Sequence, residues 1–339
     1  MGKFSFEHSF EIDTLKRLIA HHQGKFRHQS LLDLHYRGES LSVTAIELGL
    51  QDKPCPTVLF VGGVHGVERI GAQVVLSFLG SLLNRLPWDR HLQALLKEVR
   101  LSFVPVANPV GFLQGSRSNG NHVDLMRNAP IDAEEKVTFL VGGHRLTNKL
   151  PWYRGKNGME TETKVLVDYV HELQKTSTSV TALDAHSGFG LADHIWFPYA
   201  HTKKPFEGMG YIYHLKQLFD RGYPHHGHYK IAPQSHYYQT HGDIWDYLAK
   251  ANPSDRPFIP LTLEMGSWAW VKKNPRQIFN FSGYFNPQKT HRHHRILRRH
   301  VVLMQFLIEA AYANVLENID TEQLGRLQVD AERHWARNR

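Results

Sequence analysis

The chain has 339 residues, 41% of them hydrophobic, which is enough apolar content for a packed core and too much for a disordered chain. Lys and Arg number 40 against 32 Asp and Glu, a formal net charge of +8 that permits anionic partners without implying nucleic acid. A single cysteine, Cys55, excludes an intrachain disulfide framework and any metal site built from cysteine alone.

The N-terminal stretch MGKFSFEHSFEIDTLKRL scatters charge along its length and lacks the apolar core of a signal peptide. Met1-Gly2 followed by Ser5 and Phe6 falls short of the myristoylation pattern. No later stretch reaches the ~18 uninterrupted apolar residues of a membrane span, so a soluble, cytoplasmic protein is expected. Short apolar runs rich in β-branched residues then recur at Ser42–Leu48, Thr57–Val61, Val99–Val106, Val180–Asp184 and Phe258–Leu263, and they read as strands. Helical periodicity separates several of them, at Ala72–Arg85, Thr161–Gln174 and Met209–Arg221. This alternation predicts an α/β fold with a mixed, mostly parallel twisted sheet and helices on both faces. Asp52–Pro56 and Asn252–Pro257 are turn-like but too short to divide the chain, so one catalytic domain is expected over residues 1–339, its motifs within about 40–285. The basic run Lys289–His300, KTHRHHRILRRH, leads into the apolar-periodic segment Val301–Leu316. Its cations read as the wet face of a helix within a basic C-terminal segment of about 289–335, and nucleic acid is not the expected partner.

In open α/β sheets ligands gather where strand carboxyl ends, loops and helix N-termini converge. Four polar segments stand at such ends: Val61–Glu68, Pro105–Gly111 (PVANPVG), Asp184–Gly190 (DAHSGFG) and Glu264–Ser267 (EMGS). In the first, VGGVHGVERIGA, His65 and Glu68 are close enough for both to grip one ion at a turn before a helix. Imidazole and carboxylate suit zinc, whose catalytic sites take three protein ligands and leave one position open. His186 in LDAHSG, at the same rim, is the best third ligand.

The ordered segments GGVHGVERIGA, NPVGF, RSNGNHVDLMRN, DAHSG, YYQTHGD and LTLEMG resemble the zinc carboxypeptidases of the carboxypeptidase A type over roughly Leu59 to Ser267. The resemblance implies His65, Glu68 and His186 as ligands of one zinc per chain, with water in the open position. It implies Glu264 as the catalytic base, and burial after the apolar IPLTL run would raise that carboxylate's basicity. It makes Arg117 the cation that stabilises the oxyanion and Arg127 the arginine that binds the substrate's terminal carboxylate. Asp124 corresponds to the aspartate that fixes the tautomer of His65. Tyr238 matches a mobile tyrosine that closes over the substrate, although a slip of one residue would select Tyr237. Asp243, Trp245 and Asp246 fall where the family builds its side-chain specificity pocket; an acidic floor would favour a basic side chain or a free amine, but an aspartate here could equally hold a loop by backbone hydrogen bonds. Met126 stands where these enzymes have asparagine, and methionine cannot donate a hydrogen bond to a carboxylate.

The resemblance therefore implies a cytoplasmic zinc metallopeptidase that hydrolyses an amide bond next to a free carboxylate, with the murein peptide amidases of the family as an analogy. A second reading is an N-acyl amino acid deacylase resembling aspartoacylase and succinylglutamate desuccinylase, which share the HxxE and later histidine ligands, the paired arginines and the glutamate. A third, a non-catalytic binding module that kept the fold, would expect a missing ligand or base, and neither is missing.

Overall fold

The computed structural model describes residues 9–252 and 256–337. The Met1-Gly2 lipidation reading and the middle of the Asn252–Pro257 turn lie outside them. Eight strands form one sheet: β1 (Arg27–Tyr36), β2 (Glu39–Gly49), β3 (Cys55–Gly62), β4 (Arg100–Val104), β5 (Ser177–Ser187), β6 (Asp193–Phe197), β7 (Tyr229–Pro233) and β8 (Phe258–Met265). Their order across the sheet is β1-β2-β4-β3-β5-β8-β6-β7. The middle four are parallel to one another, β1, β2 and β4 pair antiparallel, and beyond β8 the sheet continues with antiparallel β6 and then β7 parallel to β6.

The strands legible in the sequence are the buried central ones. Every residue of β3 and of β4 is buried, so each reads as a short continuous apolar run. The three that escape pattern reading lie toward the edges: β1 is largely exposed with its apolar residues interrupted, and β6 and β7 are five residues each.

Ten α-helices accompany the sheet in the described residues. In chain order they are α1 (Phe10–His21), α2 (Arg69–Arg85), α3 (Arg90–Leu95), α4 (Pro109–Gln114) and α5 (Thr161–Thr176), followed by α6 (Met209–Gly222), α7 (Ile244–Ala251), α8 (Trp268–Lys273), α9 (Thr290–Tyr312) and α10 (Thr321–Arg337). Strand alternation sorts them into two layers. Val58 and Phe60 of β3 join a core with α1, α2, α6, α9 and α10, while Leu59 and Val61 join a second core with α5 and α7. Phe60 anchors the first, its ring 5.3 Å from Phe78 and 5.2 Å from Phe103. No helix among the described residues is long and apolar enough to cross a membrane.

The basic run enters α9 from its first residue, and the helix ends at Tyr312, four residues short of Leu316. His300 breaks its pattern of wet cations: it is fully buried, with Nδ1 2.9 Å from the Tyr229 hydroxyl of β7. Burial pushes its imidazole down to about 4 from an ordinary 6.5, against the attraction of Asp193 and together with repulsion from Arg299, His228 and His226. A base whose folded pKa is depressed is neutral in the native state, so stability is whole above about pH 6.5 and is lost as the unfolded chain takes up the proton, down to about pH 4. His300 alone accounts for about 3 kcal/mol of that loss. Urea denaturation of wild type and His300→Leu between pH 7 and pH 4.5 checks this; the variant should show a shallower fall, and an unchanged slope refutes the assignment.

Candidate active site

The parallel strands β3, β4, β5 and β8 end at one rim, and the loops leaving them are tied together by backbone hydrogen bonds. Ala107 and Asn108 donate to the carbonyls of Gly62 and Gly63, both at 3.0 Å, laying the segment after β4 along the glycines after β3. Asn108 then caps α4, accepting from Gly111 N–H at 2.9 Å, and donates to Val64 at 3.2 Å. At Gly66 a Cβ would stand 2.0 Å from the carbonyl carbon of Gly111, so no other residue can occupy this turn. His65 and Glu68 leave that turn just before α2. His186 is the penultimate residue of β5, directly paired with Glu264 of β8.

All four side chains are buried, and they meet. Nδ1 of His65 lies 2.9 Å from Glu68 Oε1, and Nδ1 of His186 lies 3.0 Å from Glu68 Oε2. The opposite nitrogen of each ring is held by a carboxylate: His65 Nε2 is 2.9 Å from Asp124, and His186 Nε2 is 2.8 Å from Asp184. Ser187 N–H donates to Glu68 at 3.0 Å, and Phe189 N–H donates to Glu264 at 3.0 Å. Burial opposes ionisation of Glu68, yet His65 and His186 hold it well below the usual carboxylate range. Burial, and after it the charge of Glu68, pushes Glu264 up to about 8.

Arg117 bridges the cluster from the side, donating from Nε to Asp124 at 2.8 Å and from Nη1 to Glu68 at 3.0 Å. Despite burial, Asp124 and Glu68 keep its guanidinium above its ordinary value. Asp124 also caps the turn Leu125–Arg127, accepting from Met126 N–H at 3.1 Å. Arg127, buried, donates to the carbonyls of Val141 and Met126 at 3.3 and 3.2 Å. A second backbone seam fixes it opposite the Tyr238–Asp243 loop: Gly242 donates to Ile131 and accepts from Ala129. There a Cβ would stand 1.9 Å from the Arg127 carbonyl oxygen, at a φ of +71°.

The resulting cavity, about 640 Å³, brings together His65, Glu68, His186, Glu264, Arg117 and Arg127, and is also lined by Met126, Tyr238 and Asp243. Tyr237 lines it too, but packs against His194 and Phe189, whereas Tyr238 stands beside Arg127, Glu264 and Arg117. Asp243 occupies both of its expected places: it lines the cavity and caps α7, accepting from Trp245 and Asp246 N–H at 2.9 and 3.0 Å. Burial, then Asp246, pushes its carboxyl up to about 7. Trp245 is not part of the lining. Its side chain turns into the core on the α5 and α7 side, where Nε1–H donates to Asp184 at 2.9 Å. Asp246 likewise points away, accepting from the backbone of Ala200 and His201 at 2.7 Å and facing the His201 ring.

Asp184 escaped the motif reading, although it was within reach of the sequence. Residues two apart on a strand share a face, so in DAHSG the aspartate stands under the histidine as a matter of period.

The donor set fits a divalent ion. His65, Glu68 and His186 each offer a ligand atom within 4.8 Å of the others, and a four-coordinate zinc needs donors about 3.3 Å apart. Both imidazoles turn the same nitrogen inward while a carboxylate holds the other, the arrangement that fixes a metal-binding histidine.

A mixed sheet with three such donors and a buried glutamate at its carboxyl rim defines an α/β protein with a candidate metal centre. The zinc carboxypeptidase family model matches residues 25–289, and the chain belongs to that family. Among curated relatives it is 25% identical over 141 residues to carboxypeptidase SOL1 of Arabidopsis thaliana, covering 42% of this chain and 25% of that protein. It is 26% identical over 218 residues to the carboxypeptidase N catalytic chain of Mus musculus, covering 59% and 42% respectively. The aligned part thus spans under half the length of either relative. Of solved structures, carboxypeptidase A from Helicoverpa armigera superposes with a TM-score of 0.63 at 20% identity, covering 91% of this chain and 75% of that one. Bovine thrombin-activatable fibrinolysis inhibitor, in complex with tick carboxypeptidase inhibitor, gives 0.64 at 16%, covering 91% and 99%. At these identities the likeness shows the fold.

The Asp184–His186 contact gives a direct test. Asp184→Asn should weaken zinc affinity by about 10–100-fold, measured by chelator competition, with the fold retained by circular dichroism; unchanged affinity would exclude Asp184 as the support of His186.

Proposed function

We propose that this protein hydrolyses an amide bond beside a free carboxylate, with one zinc held by His65, Glu68 and His186. The single observation that carries this reading is the convergence of those donors, a buried glutamate, the buried Arg127 and the partly buried Arg117 in one cavity. Zinc in such a site polarises a carbonyl and lowers the pKa of water, which are the two needs of amide hydrolysis at neutral pH.

The residues divide the remaining work. Glu264, oriented by the Phe189 N–H, receives the proton of the attacking water and delivers it to the leaving amine. Its raised basicity suits a group that must first accept and then donate. Arg117, already fixed between Asp124 and Glu68, presents a cation in a water-poor site where the carbonyl oxygen gains charge. Arg127 binds the free carboxylate, which the guanidinium can meet with two parallel donors. Met126 offers that carboxylate a thioether in place of a donor, so the grip on it rests on Arg127 and the Tyr238 hydroxyl. Asp243, on the wall near Arg127, favours a basic side chain on the released residue. The family match and the carboxypeptidase relatives support the peptidase reading over the deacylase.

Two variants test the scheme. Glu264→Gln should keep zinc and substrate binding but lower kcat by at least about 100-fold, and near-normal turnover would remove it as the base. His65→Ala should lose the one zinc per chain that metal analysis of the wild type is expected to find; full occupancy in the variant would mean the ligand set is wrong.

A further inference from the structure

The surface beside the cavity mouth carries a charge distribution the site itself does not use. Between Glu264 and Glu309 the chain has no Asp or Glu and eight Lys and Arg. That excess equals the whole formal net charge of +8, so elsewhere cations and anions are equal in number. The same segment exposes aromatic rings: Trp268 is 48% exposed, Phe281 63% and Phe279 88%.

The two sets share one flank. Trp268 opens α8 and lines the cavity, and Lys272 and Lys273 close that helix. Arg276 and Phe279 belong to the 3-10 turn Pro275–Phe279, which packs on the turn Phe281–Tyr284, itself part of the cavity wall. Arg292 draws the start of α9 against them, donating to the carbonyls of Trp270 and Lys273 at 3.1 and 3.4 Å. Lys289, just before α9, and Arg295, one turn beyond Arg292, extend the basic flank. Arg299 is matched by Asp193 at 2.8 Å; among the described residues no ion pair engages Lys272, Lys273, Arg276, Lys289 or Arg295.

We infer that this flank binds the part of the substrate on the acyl side of the scissile bond, and that this part is an acidic peptide. Trp268 and Phe281, which line the cavity, meet the residues closest to the scissile bond; Phe279 and the cations, outside the lining, meet the chain further up, the cations its carboxylates. Two observations fix the occupant: the surface is continuous with the cavity wall, and its charge has one sign. A one-signed field at a mouth concentrates and orients chains of the opposite sign, and it fades with added salt. The direction in which the peptide lies rests on the amide-hydrolase reading above.

The test uses zinc-loaded Glu264→Gln protein and three labelled peptides of equal length, identical in their last two residues and acidic, neutral or basic upstream. Fluorescence anisotropy should show the acidic peptide binding about tenfold or more tighter than the neutral one at low salt, the advantage vanishing at high salt. Adding Lys272→Glu, Lys273→Glu and Arg276→Glu should reverse the order of the three; a milder set, Lys→Gln and Arg→Gln, serves if the charge reversal lowers the melting temperature. Equal binding of all three peptides overturns the inference. So does tighter binding, through the same three residues, of anionic lipid vesicles or of a single-stranded oligonucleotide. Incubating the peptides with wild-type enzyme separates the two claims: cleavage with flat binding leaves the hydrolase standing and removes the docking surface, while acidic-selective binding with no cleavage does the reverse.

Discussion

Five carboxylates, Glu68, Asp124, Asp184, Asp243 and Glu264, are buried along one rim of the sheet, and this concentration of negative charge is the constraint to which the surrounding structure answers. An isolated ionised carboxylate in an apolar interior costs several kcal/mol unless it is paired and hydrogen-bonded. Arg127, buried, and Arg117, partly buried, supply two positive charges, and the N–H groups of Met126, Ser187 and Phe189 supply aligned donors. The acids still outnumber the arginines. A divalent cation held by His65, Glu68 and His186 would relieve that imbalance where it is greatest, and Asp243 and Glu264, at a distance from the arginines' hydrogen bonds, are the two whose burial raises them instead. The same charge imbalance therefore accounts both for a metal-binding cluster and for a carboxyl group basic enough to handle a proton.

Holding so many charges still requires a backbone that does not give way. The rim achieves this by lacing loops to one another rather than by long elements. Gly62 and Gly63 receive the segment after β4, and Ala129, Ile131 and Gly242 exchange backbone hydrogen bonds across the Arg127 and Asp243 loops. Gly66 and Gly242 are the points of closest approach, where a single added carbon would drive two segments apart. Behind them the parallel strands put His186 and Glu264 side by side, so the ligand and the glutamate are set by strand register, the least deformable relation in the molecule.

What the sequence could disclose follows from this division. The central strands and helices α2, α5 and α6 were legible because continuous burial and helical period leave strong patterns, and the ligand motifs because they stand at strand ends. Peripheral β1, β6 and β7 were not, since short or half-wet strands leave no period to read. Trp245 shows a different limit. Proximity in sequence to Asp243 placed it in the cavity, but Trp245, two residues on and in the first turn of α7, turns into the core, where its indole braces Asp184. Motif distance identifies which residues are near a site, whereas only the helix phase decides which of them face it.

The polarity of the whole molecule then acquires a direction. Acid is concentrated inside the rim and base outside it, on the segment from Lys272 to Arg299, and the family match ends at residue 289, partway through that segment. On the proposed reading, a chain that is anionic along its length would be attracted by the outer field, and inside the rim Arg127 would offer a local match for its terminal carboxylate. Such a chain would advance until its end meets Arg127, because a second carboxylate pushed past that point would be buried beside the carboxyl groups of Asp243 and Glu264 without the pairing that Arg127 gives the first. On that reading the outer field and the buried carboxyl groups would act together as a depth stop, the exterior gathering an acidic chain and the interior admitting only its end.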